Sequence, residues 1–133
     1  NSIYYTDLIL GRIIDVVNAA QRSTIMIYFS DHGENIYDDN DNFLGRDPRH
    51  VEVPFLIYAN SKFRESFPDF YNKIAKAACK PLSTANVSHL ICSLTGTEYA
   101  LYNSARDVLS PSYVSMPRYV DDIVWKYEQI PAP

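Results

Sequence analysis

Five consecutive apolar residues, Ile25-Met26-Ile27-Tyr28-Phe29, stop abruptly at Ser30-Asp31-His32-Gly33-Glu34. A short unbroken run with β-branched and aromatic members predicts a strand buried on both faces, as in the parallel sheets of α/β proteins. Ligands of such sheets bind beyond the carboxyl ends of the strands, which puts Asp31 and His32 where an open α/β fold takes a metal or substrate. Their donors make a coherent pair. A hard carboxylate oxygen beside an imidazole nitrogen suits zinc or manganese better than calcium, which prefers oxygen alone. Gly33 lets the chain turn sharply behind them, and Glu34 is placed to orient a ligand or touch a substrate. The competing reading of an isolated Asp-His pair is a helix cap or a solvated turn.

The rest of the chain gives alternating units. Ile9, Leu10, Ile13, Ile14 and Val17 recur at helical spacing, so an amphipathic helix is expected over residues 3 to 20. After the strand, a long loop from Glu34 to Arg49 precedes a second buried strand from Val53 to Tyr58, with Pro54 near its start. Phe67, Phe70, Tyr71 and Ile74 predict a helix ending near Lys80-Pro81, and another is expected from Thr84 to Thr95, stopped by Gly96. Pro111, Pro117 and Pro131 then break the chain into short pieces, with Trp125 and Tyr127 expected to pin this tail to the body. Helix, strand, loop and strand in that order fit an α/β sandwich with a largely parallel sheet flanked by helices. At 133 residues, the chain has the length for a single compact unit at most.

Composition excludes several classes. Hydrophobic residues make up 47% and charged residues 21%, proportions of a globular chain and not of a disordered one. A net charge of -4 with no basic run argues against nucleic acid as a partner. No apolar stretch approaches the ~20 residues that span a bilayer. Asp38, Asn40 and Asn42 alternate as in an EF-hand loop, yet Phe43 stands where that loop needs glycine and Arg49 where it needs its closing glutamate. A solvated loop is the expectation there. Cys92 falls within the apolar rhythm Val87, Leu90, Ile91, Leu94, so a free thiol is expected in place of a bridge to Cys79.

Three segments occur in the order of a known group: Asn1-Ser2-Ile3-Tyr4-Tyr5-Thr6-Asp7, then Ser30-Asp31-His32-Gly33-Glu34, then Val51-Glu52-Val53-Pro54-Phe55. Together with Ser88-His89-Leu90-Ile91-Cys92-Ser93-Leu94-Thr95-Gly96, the chain resembles the carboxyl-terminal part of the phosphoethanolamine transferases of the alkaline phosphatase and sulfatase superfamily. The resemblance implies an alkaline phosphatase-like fold, with residues 1 to 133 forming the carboxyl-terminal part of a sulfatase-like catalytic domain. It further implies an enzyme of the bacterial inner membrane, anchored through an amino-terminal region absent here, with its catalytic domain in the periplasm. Such an enzyme moves phosphoethanolamine from a phospholipid donor to a glycolipid or glycan acceptor by a zinc-held threonine nucleophile.

Asp31 and His32 match that family's metal-binding aspartate and histidine. Its threonine and glutamate would lie before Asn1, so no catalytic nucleophile is expected in this chain, which alone should be inactive. Where the family has a further histidine, this sequence has Gly45-Arg46, leaving His50 as the candidate third metal ligand and Glu34 and Arg46 as candidate substrate-binding residues. His89 is expected to be a packing residue. Two alternatives stand beside this reading: a sulfatase of the same superfamily, with calcium as its metal, and a non-catalytic binding module.

Overall fold

The computed structural model describes residues 2–33, 51–97 and 99–115. Among these, helix α1 (Ser2–Ala19) leads to strand β1 (Ile25–Phe29), followed by β2 (Phe55–Ala59), α2 (Ser61–Ser66), α3 (Pro68–Ala77) and α4 (Val87–Thr95). Short 3-10 turns lie at Thr84–Asn86 and Ser104–Arg106. Most of the Asp/Asn-rich loop and the tail carrying Pro117, Trp125, Tyr127 and Pro131 lie outside the described residues.

Where the length argued for one compact unit, the chain divides into two, each with a small core of its own. The first comprises residues 1–29 and 54–76, the second 30–53 and 77–133. In the first unit β1 and β2 pair antiparallel, with Ile25 opposite Ala59, Ile27 opposite Ile57 and Phe29 opposite Phe55. Parallel pairing was the expectation, but apolar periodicity carries no strand direction, and an antiparallel edge on a mostly parallel sheet is common. The strand begins at Phe55 and not at Val53 because Pro54 has no N–H to give the ladder. Neither strand is buried on both faces: Ile25 to Tyr28 are half-buried and Phe29 is exposed. Two strands with one covering helix leave apolar surface that a wider sheet would hide.

Asn60 holds the first unit together. Its side chain is fully buried and uses all four of its hydrogen-bonding positions. Oδ1 accepts from the N–H of Thr24 at 3.1 Å and of Phe63 at 2.9 Å, while Nδ2 donates to the carbonyls of Val17 at 3.2 Å and Arg22 at 3.0 Å. One amide thereby caps α2 at its amino end, ties the start of β1, and closes the turn that follows α1. Val17, Ala59, Phe63 and Ile74 form the apolar core beside it, with Phe67 and Phe70 against the Phe63 ring at centroid distances of 5.2 and 6.2 Å.

In the second unit, Ala77, Val87, Leu90 and Val108 are buried. The expected helix from Thr84 opens as a 3-10 turn capped reciprocally by Ser83 and Asn86, and becomes α-helical at Val87. Buried Asp107 pins α4 to the following loop: its carboxylate accepts from the hydroxyls of Ser93 and Tyr102 and from the N–H of Leu109. His89 is buried, accepts through Nδ1 from the N–H of Asn103 at 3.2 Å, and stands edge-on to Tyr102, the packing role expected of it. Cys79 and Cys92 are both free thiols, Cys79 exposed and Cys92 half-buried.

Gly96 ends α4 in the left-handed region at φ 66, its N–H returning to the carbonyl of Cys92. A Cβ there would meet nothing within 4 Å, so the penalty of a side chain is conformational alone. Gly96→Ala is expected to destabilise by about 1 kcal/mol in urea unfolding, without change in the m-value.

Candidate metal-binding site

The site begins at the carboxyl end of β1, where the ladder stops at Phe29 and Ser30 folds the chain back on itself. The Ser30 hydroxyl donates to the carbonyl of His32 at 2.8 Å and lies 3.4 Å from Asp31 Oδ1, closing a serine turn of the type that competes with extended structure. The N–H of His32 donates to the same Oδ1 at 3.0 Å. These bonds leave the Asp31 carboxylate turned outward, with its side chain 88% exposed and that of His32 52% exposed.

The imidazole has a defined orientation. Nδ1 lies 2.9 Å from the carbonyl oxygen of Gly33, which can only accept, so Nδ1 carries a proton and Nε2 is the nitrogen that the neutral ring would offer to a metal. That nitrogen lies 3.9 Å from Asp31 Oδ2. Zinc binds nitrogen and carboxylate oxygen at roughly 2.0–2.2 Å in a tetrahedral arrangement, which sets two such ligands about 3.4 Å apart. The pair stands somewhat wider than that and would close onto one ion by a small rotation of the exposed Asp31 side chain. A main-chain acceptor on the far ring nitrogen is also the usual partner of a metal-bound histidine.

Electrostatics favour the charged form of the carboxylate. The N–H of His32, then the N–H of Asp31 itself and the neighbouring imidazole hold the Asp31 carboxyl below its ordinary value of 3.8. It is therefore an anion throughout the range in which metals bind proteins.

Two donors do not complete a metal cage. Among the described residues no group of three His, Cys, Asp or Glu side chains is placed to hold an ion. His50, Glu34 and Arg46, the other residues singled out by the sequence, lie outside the described residues. Ser30 was not singled out, although its hydroxyl shapes the turn. The signal was present in the sequence as a serine at a strand end directly before the acidic residue.

Comparison with known proteins identifies the family. A family model described as Sulfatase matches residues 1–97. The phosphoethanolamine transferase EptC of Escherichia coli strain K12 is 29% identical over 127 residues, which cover 90% of this chain and 21% of that protein. EptA of Helicobacter pylori, another phosphoethanolamine transferase, is 37% identical over 71 residues, covering 49% of this chain and 13% of the relative. This chain thus spans about a fifth or less of the length of these relatives.

Among solved structures, the crystal structure of the C-terminal periplasmic domain of E. coli EptC superposes with a TM-score of 0.73 at 27% identity, over 96% of this chain and 38% of that one. A complex of the same domain with Zn superposes at 0.67 and 25% identity, with the same coverage. The fold is thus that of part of an alkaline phosphatase-like α/β domain, and its two strands and flanking helices are a portion of that architecture. With a family match over most of its length and the Asp-His pair at the end of β1, the chain belongs to the sulfatase family.

Proposed function

We propose that this chain is the carboxyl-terminal part of the catalytic domain of a phosphoethanolamine transferase, to which it contributes the metal ligands Asp31, His32 and His50. The observation that carries the reading is the Asp31–His32 pair, an anionic oxygen 3.9 Å from an imidazole nitrogen whose tautomer is set by the Gly33 carbonyl. The relatives named phosphoethanolamine transferases, and the existence of a zinc complex of a similar domain, support it.

In this reading Asp31 supplies charge and His32 a directed lone pair to zinc, with His50 as third ligand and Glu34 and Arg46 toward the substrate. Zinc bound there would supply Lewis-acid charge to a phosphoryl group and lower the pKa of a bound nucleophile. The nucleophile is a threonine outside these residues. Its hydroxyl takes the phosphoethanolamine group from the phospholipid, diacylglycerol leaves with a proton, and the group then passes to a hydroxyl or amine of a glycolipid or glycan. Residues 1 to 133 alone lack the threonine and a closed cage, so they should neither hold zinc tightly nor turn over. No helix among the described residues is long and apolar enough to cross a membrane, and the reading assigns the anchor to polypeptide outside them, with the catalytic domain in the periplasm.

The test is release of labelled diacylglycerol from phosphatidylethanolamine by the intact protein and by residues 1 to 133, each with and without added zinc. Zinc-dependent release by the intact protein alone is expected. Turnover by the 133 residues would show that they contain the nucleophile and would overturn the assignment. Sulfate-ester hydrolysis without lipid cleavage by the intact protein would move the function to the sulfatase branch.

A further inference from the structure

Helix α1 carries more apolar surface than the described structure uses. Leu10 and Ile14 are half-buried and Val17 is buried, a stripe that covers β1. At about 100° per residue, Tyr5, Ile9, Ile13 and Val16 form a second stripe roughly 110° round the helix from the first. These residues are exposed, Ile13 at 42% and Val16 at 71%. Gly11, Arg12, Asp15 and Asn18 share the remaining arc with Tyr4 and Leu8, both exposed toward the amino end of the helix. A helix with so wide an apolar face is expected to be covered on more than one side.

We infer that the stripe of Tyr5, Ile9, Ile13 and Val16 is the seam along which this chain packs against the rest of a sulfatase-type domain, supplied by polypeptide outside these 133 residues. The occupant follows from two observations. The chain superposes over 96% of its length on a domain of which it covers 38%, so well over half of that architecture has no counterpart here. The two-stranded sheet of the described residues also leaves Phe29 and Leu56 exposed, and a pair of strands is marginal without further strands or helices. Both observations point to one missing body of apolar residues. The inference rests on the reading of the chain as part of a larger catalytic domain, and it adds the surface that joins the parts.

The experiment uses the intact protein encoded by the gene containing this sequence. Val16→Cys, a change of little volume, is labelled with a thiol reagent under native and denaturing conditions, and labelling at position 16 is read by peptide mass. A seam predicts native labelling at least 100-fold slower than denatured labelling, independent of protein concentration. Ile13→Asp should lower the melting temperature by about 10 °C or more, whereas Asp15→Lys on the polar arc should shift it by less than about 2 °C.

Comparable native and denatured rates at position 16 overturn the inference. Protection that vanishes on dilution also overturns it, and assigns the stripe to a second copy of the chain. Lipid cleavage by an intact protein whose position 16 labels freely would sink the seam and keep the transferase reading. Protection at position 16 without lipid cleavage would do the reverse.

Discussion

Replacing Asn60 with alanine is expected to destabilise the protein by about 3–4 kcal/mol, the largest stability effect of any single polar side chain in the first unit. The amide is fully buried and satisfies two N–H groups and two carbonyls, three of them between Val17 and Thr24 and the fourth at Phe63. Removing it strands the carbonyl of Val17 and the N–H of Phe63, whose bonds to the amide are buried. Asn60→Asp is no rescue, because a carboxylate keeps the two accepted bonds but faces two carbonyls with nothing to donate. The control is Asn18→Ala, which loses one exposed bond from the Tyr58 hydroxyl and should cost less than about 1 kcal/mol. Urea unfolding checks both, and similar midpoints for the two variants would remove Asn60 from its central place.

The second large effect concerns zinc. In the intact protein His32→Ala is expected to lower zinc affinity at least ~100-fold and diacylglycerol release at least ~1,000-fold, since loss of a ligand opens the cage. Asp31→Asn should weaken binding as well, but with a particular pH signature. The Asp31 carboxyl is held below 3.8, chiefly by the N–H of His32, so its contribution to binding is complete above that value and is lost only as pH falls through the lowered one. Zinc release during acidification from neutral pH to about 4 therefore reports other ligands. Asp31→Asn should lower affinity by a similar factor at each pH across that range, so that log affinity plotted against pH keeps its slope, as isothermal titration at several pH values would show. A slope that changes with Asp31→Asn would contradict the arrangement described for its carboxylate.

Some of this was legible in the sequence and some was not, for physical reasons that differ from element to element. The run from Ile25 to Phe29 and the stop at Gly96 are local signals, and both elements fall where those signals put them. Strand direction is not local: the residues of β1 and β2 read the same for parallel and antiparallel pairing. Helix α2 was missed because six residues are too short for a period, although Asn60 before it and Pro68 after it are the usual marks of a cap and of a new first turn. The work of Asn60 was hidden altogether, since three of its partners, Val17, Arg22 and Thr24, lie far from it in the chain. In α1 the apolar spacing was clear, but its division into a covered stripe and a bare one depends on how much sheet there is to cover.

At the candidate site, the sequence supplied the residue types and their order. The direction of the imidazole came only from coordinates, because it depends on a main-chain oxygen with no signature of its own.

That oxygen has a consequence for how the site withstands change. The choice of ring nitrogen in His32 is favoured by the backbone carbonyl at position 33. A carbonyl is present whatever residue stands there, so no substitution can delete the acceptor. Only a shift in the path of the chain can move it. A substitution at position 33 would leave that acceptor in place, whereas an insertion or deletion between Ser30 and Gly33 would remove the ring's orienting contact even with Asp31 and His32 intact.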